Sequence, residues 1–154
     1  MLTPLKNWAS DERDPAAPQR YSSSWDAPDA SISEVRAAVR ALLAQAGHHP
    51  DHRSGQDAQL IVSELVTNAL RHAPGPGRLA LEVIPGTATL RITVRDSSPR
   101  PPELRTHDAR HVGGRGLHLV TRLCDRLHTV ALDTGQQVVA HFYCAGPPIS
   151  GRLQ

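Results

Sequence analysis

Aromatic residues are scarce in this sequence: Phe, Tyr and Trp together make up 3% of its 154 residues. A hydrophobic core must therefore be built from Leu, Val, Ile and Ala. The total hydrophobic share of 39% is sufficient for one domain with a core of moderate size, which is what a chain of this length can bury.

Lysine is nearly absent too, since Lys6 is the only lysine against sixteen arginines. The formal net charge is only +2, and the arginines are interspersed with Asp and Glu along the chain. Nucleic-acid-binding domains usually carry a basic stripe, often with aromatic platforms for the bases. The composition therefore argues against a direct nucleic-acid partner.

Cysteine is limited to Cys124 and Cys144, which are too few for a disulfide scaffold and lack metal-site spacing. Both lie among apolar residues, so we expect buried free thiols. No apolar run approaches the roughly 20 residues that span a bilayer, and the N-terminus has no apolar signal core. These absences predict a soluble cytoplasmic protein with no membrane contact.

The remaining sequence predicts one domain at residues 20–145 between two tails. Residues 1–19 are rich in proline and charge without sustained periodicity, and residues 146–154 are turn-forming. The predicted elements are, in order, a strand at 20–25, helices at 31–46 and 55–73, strands at 79–84 and 90–95, a helix at 116–124, and strands at 127–132 and 138–144. Ser31 with Glu34 forms a capping box for the first helix. The order predicts an α+β fold, with helices on one face of a largely antiparallel sheet.

Two segments between these elements are candidates for a function. His48, His49 and His52 have a spacing that could bind a metal, and a plain connecting loop is the other interpretation. Residues 97–116 lack any regular period. A structureless span of about 20 residues in a small domain is usually a lid or a binding loop.

The second predicted helix carries an unusual polar pair. Its apolar stripe includes Val62 and Val66, whereas Glu64 and Asn68 lie one turn apart on the opposite side. A carboxylate and an amide set among apolar neighbours can line a pocket. A solvated helix face with two ordinary polar residues is the alternative.

Two further features could join this pair in a site. Asp96 ends a predicted strand where the long loop departs, so its carboxylate can accept a hydrogen bond from a purine amino group. The run Gly113-Gly114-Arg115-Gly116 precedes a helix, where backbone N–H groups and the helix dipole favour a phosphate. A plain hinge is the alternative interpretation of the glycines.

The three features together predict a nucleotide site. The amide oxygen of Asn68 is a hard ligand, suited to Mg²⁺ held mainly by phosphates. A carboxylate one turn away, that of Glu64, can orient or deprotonate an attacking hydroxyl. Each feature alone is weak; their combination is specific.

The order of these motifs and the residues within them resemble those of the GHKL ATPases, which include histidine kinases and DNA gyrase. Residues 64–73 (Glu-Leu-Val-Thr-Asn-Ala-Leu-Arg-His-Ala) are similar to the N box, residues 94–99 to the first glycine box, and residues 113–120 to the second. Within the superfamily the chain, from about Tyr21 to Tyr143, resembles stand-alone ATP-binding proteins related to anti-sigma factor serine kinases. The resemblance implies a Bergerat-type two-layer sandwich with a mixed, mostly antiparallel sheet and an ATP lid.

By this resemblance Glu64 is the general base or water-positioning residue, Asn68 coordinates Mg²⁺, and Asp96 recognises the adenine amino group. The second glycine box is the lid hinge and holds the phosphates. For Arg71 and His72, one turn beyond the metal ligand, purely structural roles remain open. The implied ATP-binding set is Asn68, Arg71, His72, Asp96, Ser98, Gly113, Gly114, Arg115, Gly116 and Leu117.

The sequence also departs from the family pattern. The usual Asp-x-Gly is Asp96-Ser97-Ser98, so serine replaces the glycine that lets the backbone approach the base. The family often has a threonine near the final strand, and Gln137 stands in its place here. This replacement affects the adenine contacts on that side of the site. The lid carries three arginines, and two roles are open for them: contact with a γ-phosphate, or simple solvation of the loop. They are Arg100, Arg105 and Arg110.

The resemblance implies an ATP-binding regulatory protein of the anti-sigma type, acting as a serine/threonine kinase with ATP and Mg²⁺. Such a protein binds a sigma factor, phosphorylates a small anti-anti-sigma partner, and so controls transcription. The departures motivate an alternative, a non-catalytic and nucleotide-responsive interaction module. A homodimer is compatible with either function.

Overall fold

The computed structural model describes residues 19–26, 30–49, 51–73, 75–98 and 114–144. Its elements are β1 (Gln19–Trp25), α1 (Ile32–Gln45), α2 (Arg53–His72), β2 (Gly77–Ile84), β3 (Thr89–Asp96), α3 (Gly114–Leu123), β4 (Arg126–Leu132) and β5 (Gly135–Tyr143). Most of the predicted tails, and most of the predicted lid, lie outside the described residues.

Helix α1 begins and ends where its sequence signals predict. The Ser31 hydroxyl accepts a hydrogen bond from the Glu34 backbone N–H at 3.2 Å, which satisfies one of the unpaired N–H groups of the first turn. Gly47 follows the helix with φ of +89°, a conformation that glycine adopts without strain. The helix buries four aliphatic side chains, Val35, Val39, Leu42 and Leu43.

Helix α2 lies at the centre of the helical layer and packs against α1, α3 and the sheet. The predicted stripe is confirmed, because Val62 and Val66 are fully buried. Ile61 and Leu65, which flank the polar side, are buried as well, since neighbouring elements cover α2 from several directions. None of the described helices, α2 included, combines the length and the apolar character that a membrane crossing needs.

The five described strands form one sheet in the order β1-β2-β3-β5-β4. All four pairings are antiparallel, so this part of the sheet contains none of the parallel pairing that a mixed sheet allows. On one face, residues such as Leu81, Ile92 and Ala140 are buried under the helices. The predicted α+β two-layer architecture is therefore confirmed, with the described helices on one face. No described helix covers the other face, which is called the open face below.

Both cysteines are free, as predicted, although only Cys144 is fully buried and Cys124 is half-buried. Burial raises the pKa of the Cys144 thiol to about 11. Burial, together with the charge of Asp125, raises the pKa of the Cys124 thiol to about 12. Because the thiolate is the reactive species, both thiols are unreactive near neutral pH.

We expect both thiols of the native protein to react with Ellman's reagent at pH 8 at least about 100-fold more slowly than free cysteine, because so little thiolate is present. The same protein in concentrated denaturant, where burial is lost, is the control and should react at the rate of free cysteine. Equal rates in the two conditions would contradict the burial of these groups.

Candidate nucleotide site

Asp96 ends β3 and is buried, with 4% of its surface exposed. The Ser98 backbone N–H donates to its Oδ1 at 2.8 Å, and the Nε2 of Gln136 donates to its Oδ2 at 3.3 Å. These donors offset part of the cost of removing a carboxylate from water. A carboxylate can accept about four hydrogen bonds, so these two donors do not by themselves saturate it.

Gly135 allows β5 to approach Asp96 this closely. Its φ is +146°, and a Cβ at this position would lie 2.0 Å from the Asp96 carbonyl oxygen. No side chain fits there without moving the backbone. The glycine therefore fixes the register in which Asp96 pairs with Gln136.

Gln136 is fully buried, and its orientation follows from its neighbour. A carboxylate only accepts, so the amide nitrogen of Gln136 must face Asp96 and its carbonyl oxygen must point elsewhere. That oxygen, Oε1, is buried and has no hydrogen-bond partner in the described part of the chain. An unsatisfied buried acceptor costs about 1–3 kcal/mol, so a ligand donor or an ordered water here would be stabilising.

Helix α2 places the predicted polar pair on the same side of the sheet as Asp96. Asn68 is buried with 5% exposure, and Glu64, one turn earlier, is half-buried. Helix α2 itself packs on both β3 and α3, the helix that begins in the predicted glycine run. Arg71 is exposed and His72 is half-buried near the end of the helix.

Side-chain hydrogen bonds hold α2 and its following loop in place. The Arg36 Nε of α1 donates to the Ser63 Oγ at 2.6 Å, and that hydroxyl donates to the Gln59 carbonyl at 2.7 Å. After the helix, the Ser97 Oγ donates to the Pro76 carbonyl at 2.6 Å. The last contact ties the chain that leaves β3 to the chain that enters β2, and so fixes the loop beside Asp96.

Helix α3 begins at Gly114, within the predicted glycine run. Its first turn contains Arg115, Gly116 and Leu117, and the first N–H groups of a helix have no partner within the helix. Such a terminus is suited to an anion. Gly113 and the three lid arginines lie outside the described residues, so their predicted roles stay predictions.

Strand β5 contributes a buried residue, Gln136, that was not among the predicted site residues. Gln137 is directed to the open face of the sheet, where its Oε1 accepts a hydrogen bond from the Arg95 Nη2 at 3.1 Å. Gln136 is the residue that meets Asp96. The alternation of side chains along β5 indicates this placement. Val138 and Ala140 are buried, and Gln136 lies on the same face of the strand.

The histidines of the α1–α2 connector form a stacked pair. The rings of His49 and His52 have centroids 4.8 Å apart. Burial lowers the pKa of His48. Within the described residues, no group of three or more His, Cys, Asp or Glu is arranged to hold a metal ion.

The chain matches the histidine kinase-like ATPase domain over residues 25–142, well over half of its length, and it belongs to that family. No curated protein sequence matches the chain. The predicted relationship to the GHKL ATPases is therefore confirmed, and the family implies an ATP-binding domain.

Two solved structures share the fold. One is the histidine kinase domain of the blue-light activated histidine kinase EL346 from Erythrobacter litoralis, with a TM-score of 0.50 and 19% identity over 73% of this chain. The other holds the RsbU and RsbW domains of a Mycobacterium tuberculosis protein, with a TM-score of 0.58 and 21% identity over 88% of this chain. This chain spans 59% and 34% of those two chains, respectively.

We expect Gly135→Ala to lower the free energy of unfolding by about 3 kcal/mol or more, because the new Cβ must displace the Asp96 backbone. The matched control is Gly86→Ala in the β2–β3 turn, where φ is +80° and nothing lies within 4 Å of the added atom. That control reports only the conformational cost, about 1–2 kcal/mol. Urea denaturation measures both, and equal losses would contradict a tight approach at Gly135.

Proposed function

We propose that the chain binds Mg-ATP and acts as an ATP-dependent serine/threonine protein kinase of the anti-sigma type. The observation that carries this proposal is the buried Asp96 carboxylate, held by the Ser98 N–H and the Gln136 amide. Family membership indicates the nucleotide. The packing of α2 on β3 supplies the residues that would meet its phosphates.

Asp96 is suited to a base that presents an amino group. Its oxygens accept hydrogen bonds, so the exocyclic amino group of adenine is a fitting donor. The carbonyl oxygen of hypoxanthine, at the same position of the ring, would instead be repelled. The Gln136 Oε1, on the side of the amide away from the carboxylate, is a further buried acceptor without a partner in the described residues.

The oxygen ligands of α2 fit a magnesium ion that is bound mainly through phosphates. Mg²⁺ prefers oxygen, and it commonly takes only one or two protein ligands in nucleotide sites. When bound, the ion would neutralise charge on the β- and γ-phosphates. We assign Asn68 as its protein ligand, and Arg71, His72 and the α3 terminus as further phosphate contacts.

Glu64 is the proposed general base. Its half-buried carboxylate lies one turn from the proposed metal ligand, where it could orient a serine or threonine hydroxyl and accept its proton. Phosphoryl transfer depends mainly on positioning and charge neutralisation, so a single carboxylate beside the bound nucleotide is a sufficient catalytic group.

The proposed partners are proteins. The resemblance to anti-sigma kinases implies a sigma factor and a small anti-anti-sigma protein that carries the phosphorylated residue. One structure of the same fold includes a domain named RsbW, which supports this choice. A homodimer is compatible with the proposal.

A second candidate function is a nucleotide-responsive interaction module without catalysis. The observation in its favour is the altered base side of the site. Ser98 occupies the usual glycine position and is 1% exposed, and the amide of Gln136 occupies part of the acceptor capacity of Asp96. Nucleotide binding and phosphoryl transfer must therefore be measured separately.

Asp96→Asn should weaken ATP binding by about 10- to 100-fold, because an amide replaces the charged acceptor. We expect the wild type to prefer ATP over ITP by at least about 100-fold, since a site built for a donor rejects an analogue that lacks it. In the variant this preference should fall below about 10-fold. Isothermal titration calorimetry with both nucleotides measures these affinities.

The control for this experiment is Asp133→Asn, the same chemical change in the exposed β4–β5 turn, which should leave both affinities unchanged. Equal binding of ATP and ITP by the wild type would contradict base recognition by Asp96. Absence of Mg-ATP binding by the wild type would contradict the nucleotide site itself.

Glu64→Gln should reduce phosphoryl transfer by about 100-fold or more while changing ATP affinity little, because general-base catalysis contributes about 10²–10⁴-fold. Transfer of labelled γ-phosphate to purified anti-anti-sigma candidates measures it. The control is Glu34→Gln on the exposed side of α1. A wild type that binds ATP but labels none of these proteins would support the non-catalytic module instead.

A further inference from the structure

The open face of the sheet carries a row of charged side chains that crosses all five described strands. Directly paired residues of antiparallel strands face the same side. The strand registers therefore align Arg20, Glu82, Arg91, His141 and Arg126 in one row. Glu82 forms ion pairs with both of its neighbours, at 3.5 Å to the Arg20 Nε and at closer range to Arg91.

A second row holds two arginines directly opposite each other. Arg78 of β2 pairs with Arg95 of β3, and both are exposed. Like charges directly opposite each other on a sheet are destabilising. Within the described residues neither arginine forms an ion pair with an acid, and Arg95 instead donates to the Gln137 amide.

Short side chains separate the two rows. Ser22, Ala80, Thr93 and Val139 are aligned across four strands and form a floor. On β4 this floor ends at His128, which pairs with Val139 and stacks on the ring of His141. Arg91 and Arg95 are four residues apart on one strand, so the rows are separated by roughly 13 Å. At the β1–β2 end, a depression of about 400 Å³ lies between Arg20 and Arg78. The face is thus a groove that crosses the strands, with arginines on both walls.

The formal charge of this groove is more positive than the net charge of the whole chain. Five arginines and one glutamate give the face a formal charge of +4, compared with +2 for all 154 residues. Burial, and then the nearby Arg126, His128 and Arg91, lower the pKa of His141 in the first row. The two rows therefore carry an excess of positive charge, with Glu82 as their one acid. A further described acid, Asp125, lies next to Arg126 at one end, where its Oδ2 accepts a hydrogen bond from the Tyr143 backbone N–H.

We propose that this groove binds an acidic helix of a partner protein, lying across the strands between the two arginine rows. A helix is about 10–12 Å in diameter with its side chains, which matches the spacing of the rows. Carboxylates on its two flanks would meet the arginines on each wall, and the planar guanidinium matches a carboxylate in two-point contacts. A carboxylate between Arg78 and Arg95 would also remove their repulsion. The groove lies on the face opposite to the nucleotide site, so the proposal does not depend on the proposed function.

A protein fits this face better than a nucleic acid. Glu82 lies between Arg20 and Arg91 in one row, where it would repel a continuous line of phosphates but can match a basic residue within an acidic helix. Tyr143 and Val130, the exposed large hydrophobic residues described, lie on the same face at the β5–β4 end. Tyrosine and arginine are typical of protein interfaces.

The test uses a labelled helical peptide of about 16 residues, made of glutamate and alanine, and a single-stranded oligonucleotide of equal charge. Fluorescence anisotropy at an ionic strength of about 50 mM measures both affinities, since surface charges are weakly screened there. We expect saturable peptide binding by the wild type. Arg95→Glu and Arg78→Glu should each weaken it at least about tenfold.

A stability measurement on Arg95→Glu and two further variants separate this loss from misfolding. Arg95→Glu should raise the melting temperature by about 1–3 °C, because it replaces the like-charge pair with an ion pair. Arg126→Glu, in the other row, should weaken peptide binding without changing that pair. The matched control is Arg53→Glu at the exposed start of α2, which changes the net charge equally and should leave the affinity within about twofold.

Four outcomes would overturn the proposal. They are the absence of saturable peptide binding, unchanged affinity in Arg95→Glu and Arg126→Glu, tighter binding of the oligonucleotide than of the peptide, and self-association of the wild type that Arg95→Glu abolishes. The third outcome would assign the groove to nucleic acid. The fourth, measured by sedimentation velocity, would assign it to a second copy of the chain.

Discussion

The Asp96–Gln136 contact is the interaction on which the arrangement of the candidate site depends. It joins the end of β3 to the start of β5 inside the protein, where a carboxylate without partners would be costly. Three local features make it possible: the absence of a side chain at Gly135, the returning N–H of Ser98, and the antiparallel register. Because all three act on one carboxylate, the position of any base that binds there is set by backbone geometry rather than by a flexible side chain.

This constraint also separates binding from catalysis. The base side of the proposed site is built on two paired strands, β3 and β5. The proposed phosphate side is built on α2, which packs on the sheet and on α3, and on α3 itself. The Arg36–Ser63 hydrogen bond joins α2 to α1. A chain with an intact base side could therefore bind a nucleotide even where the catalytic geometry beside Glu64 is imperfect. Family membership implies nucleotide binding. Phosphoryl transfer is a separate property, which a transfer measurement reports.

The sequence was sufficient for the elements and for the layer order, because those follow from periodicity, from the Ser31 cap and from the glycine turns. It was not sufficient for positions that depend on strand register. A shift of one residue moves a side chain to the other face of a sheet. That is why Gln137, matched by sequence to the family's threonine, lies on the open face while its neighbour Gln136 contacts Asp96. For the same reason the interspersed charges predicted no basic stripe, whereas pairing across strands brings five arginines onto one face.

The Arg78–Arg95 pair is the strongest physical argument that the open face has a partner. Opposed arginines cost stability in the isolated chain, and both side chains are exposed and lie outside the hydrophobic core cluster. A carboxylate placed between them from outside would convert the repulsion into two charge-assisted hydrogen bonds. The repulsion is thus lost only when the partner is bound, so the free chain carries a cost that binding removes. Such a surface favours acidic partners over neutral ones of the same shape, because only an acidic group relieves the repulsion between the two arginines.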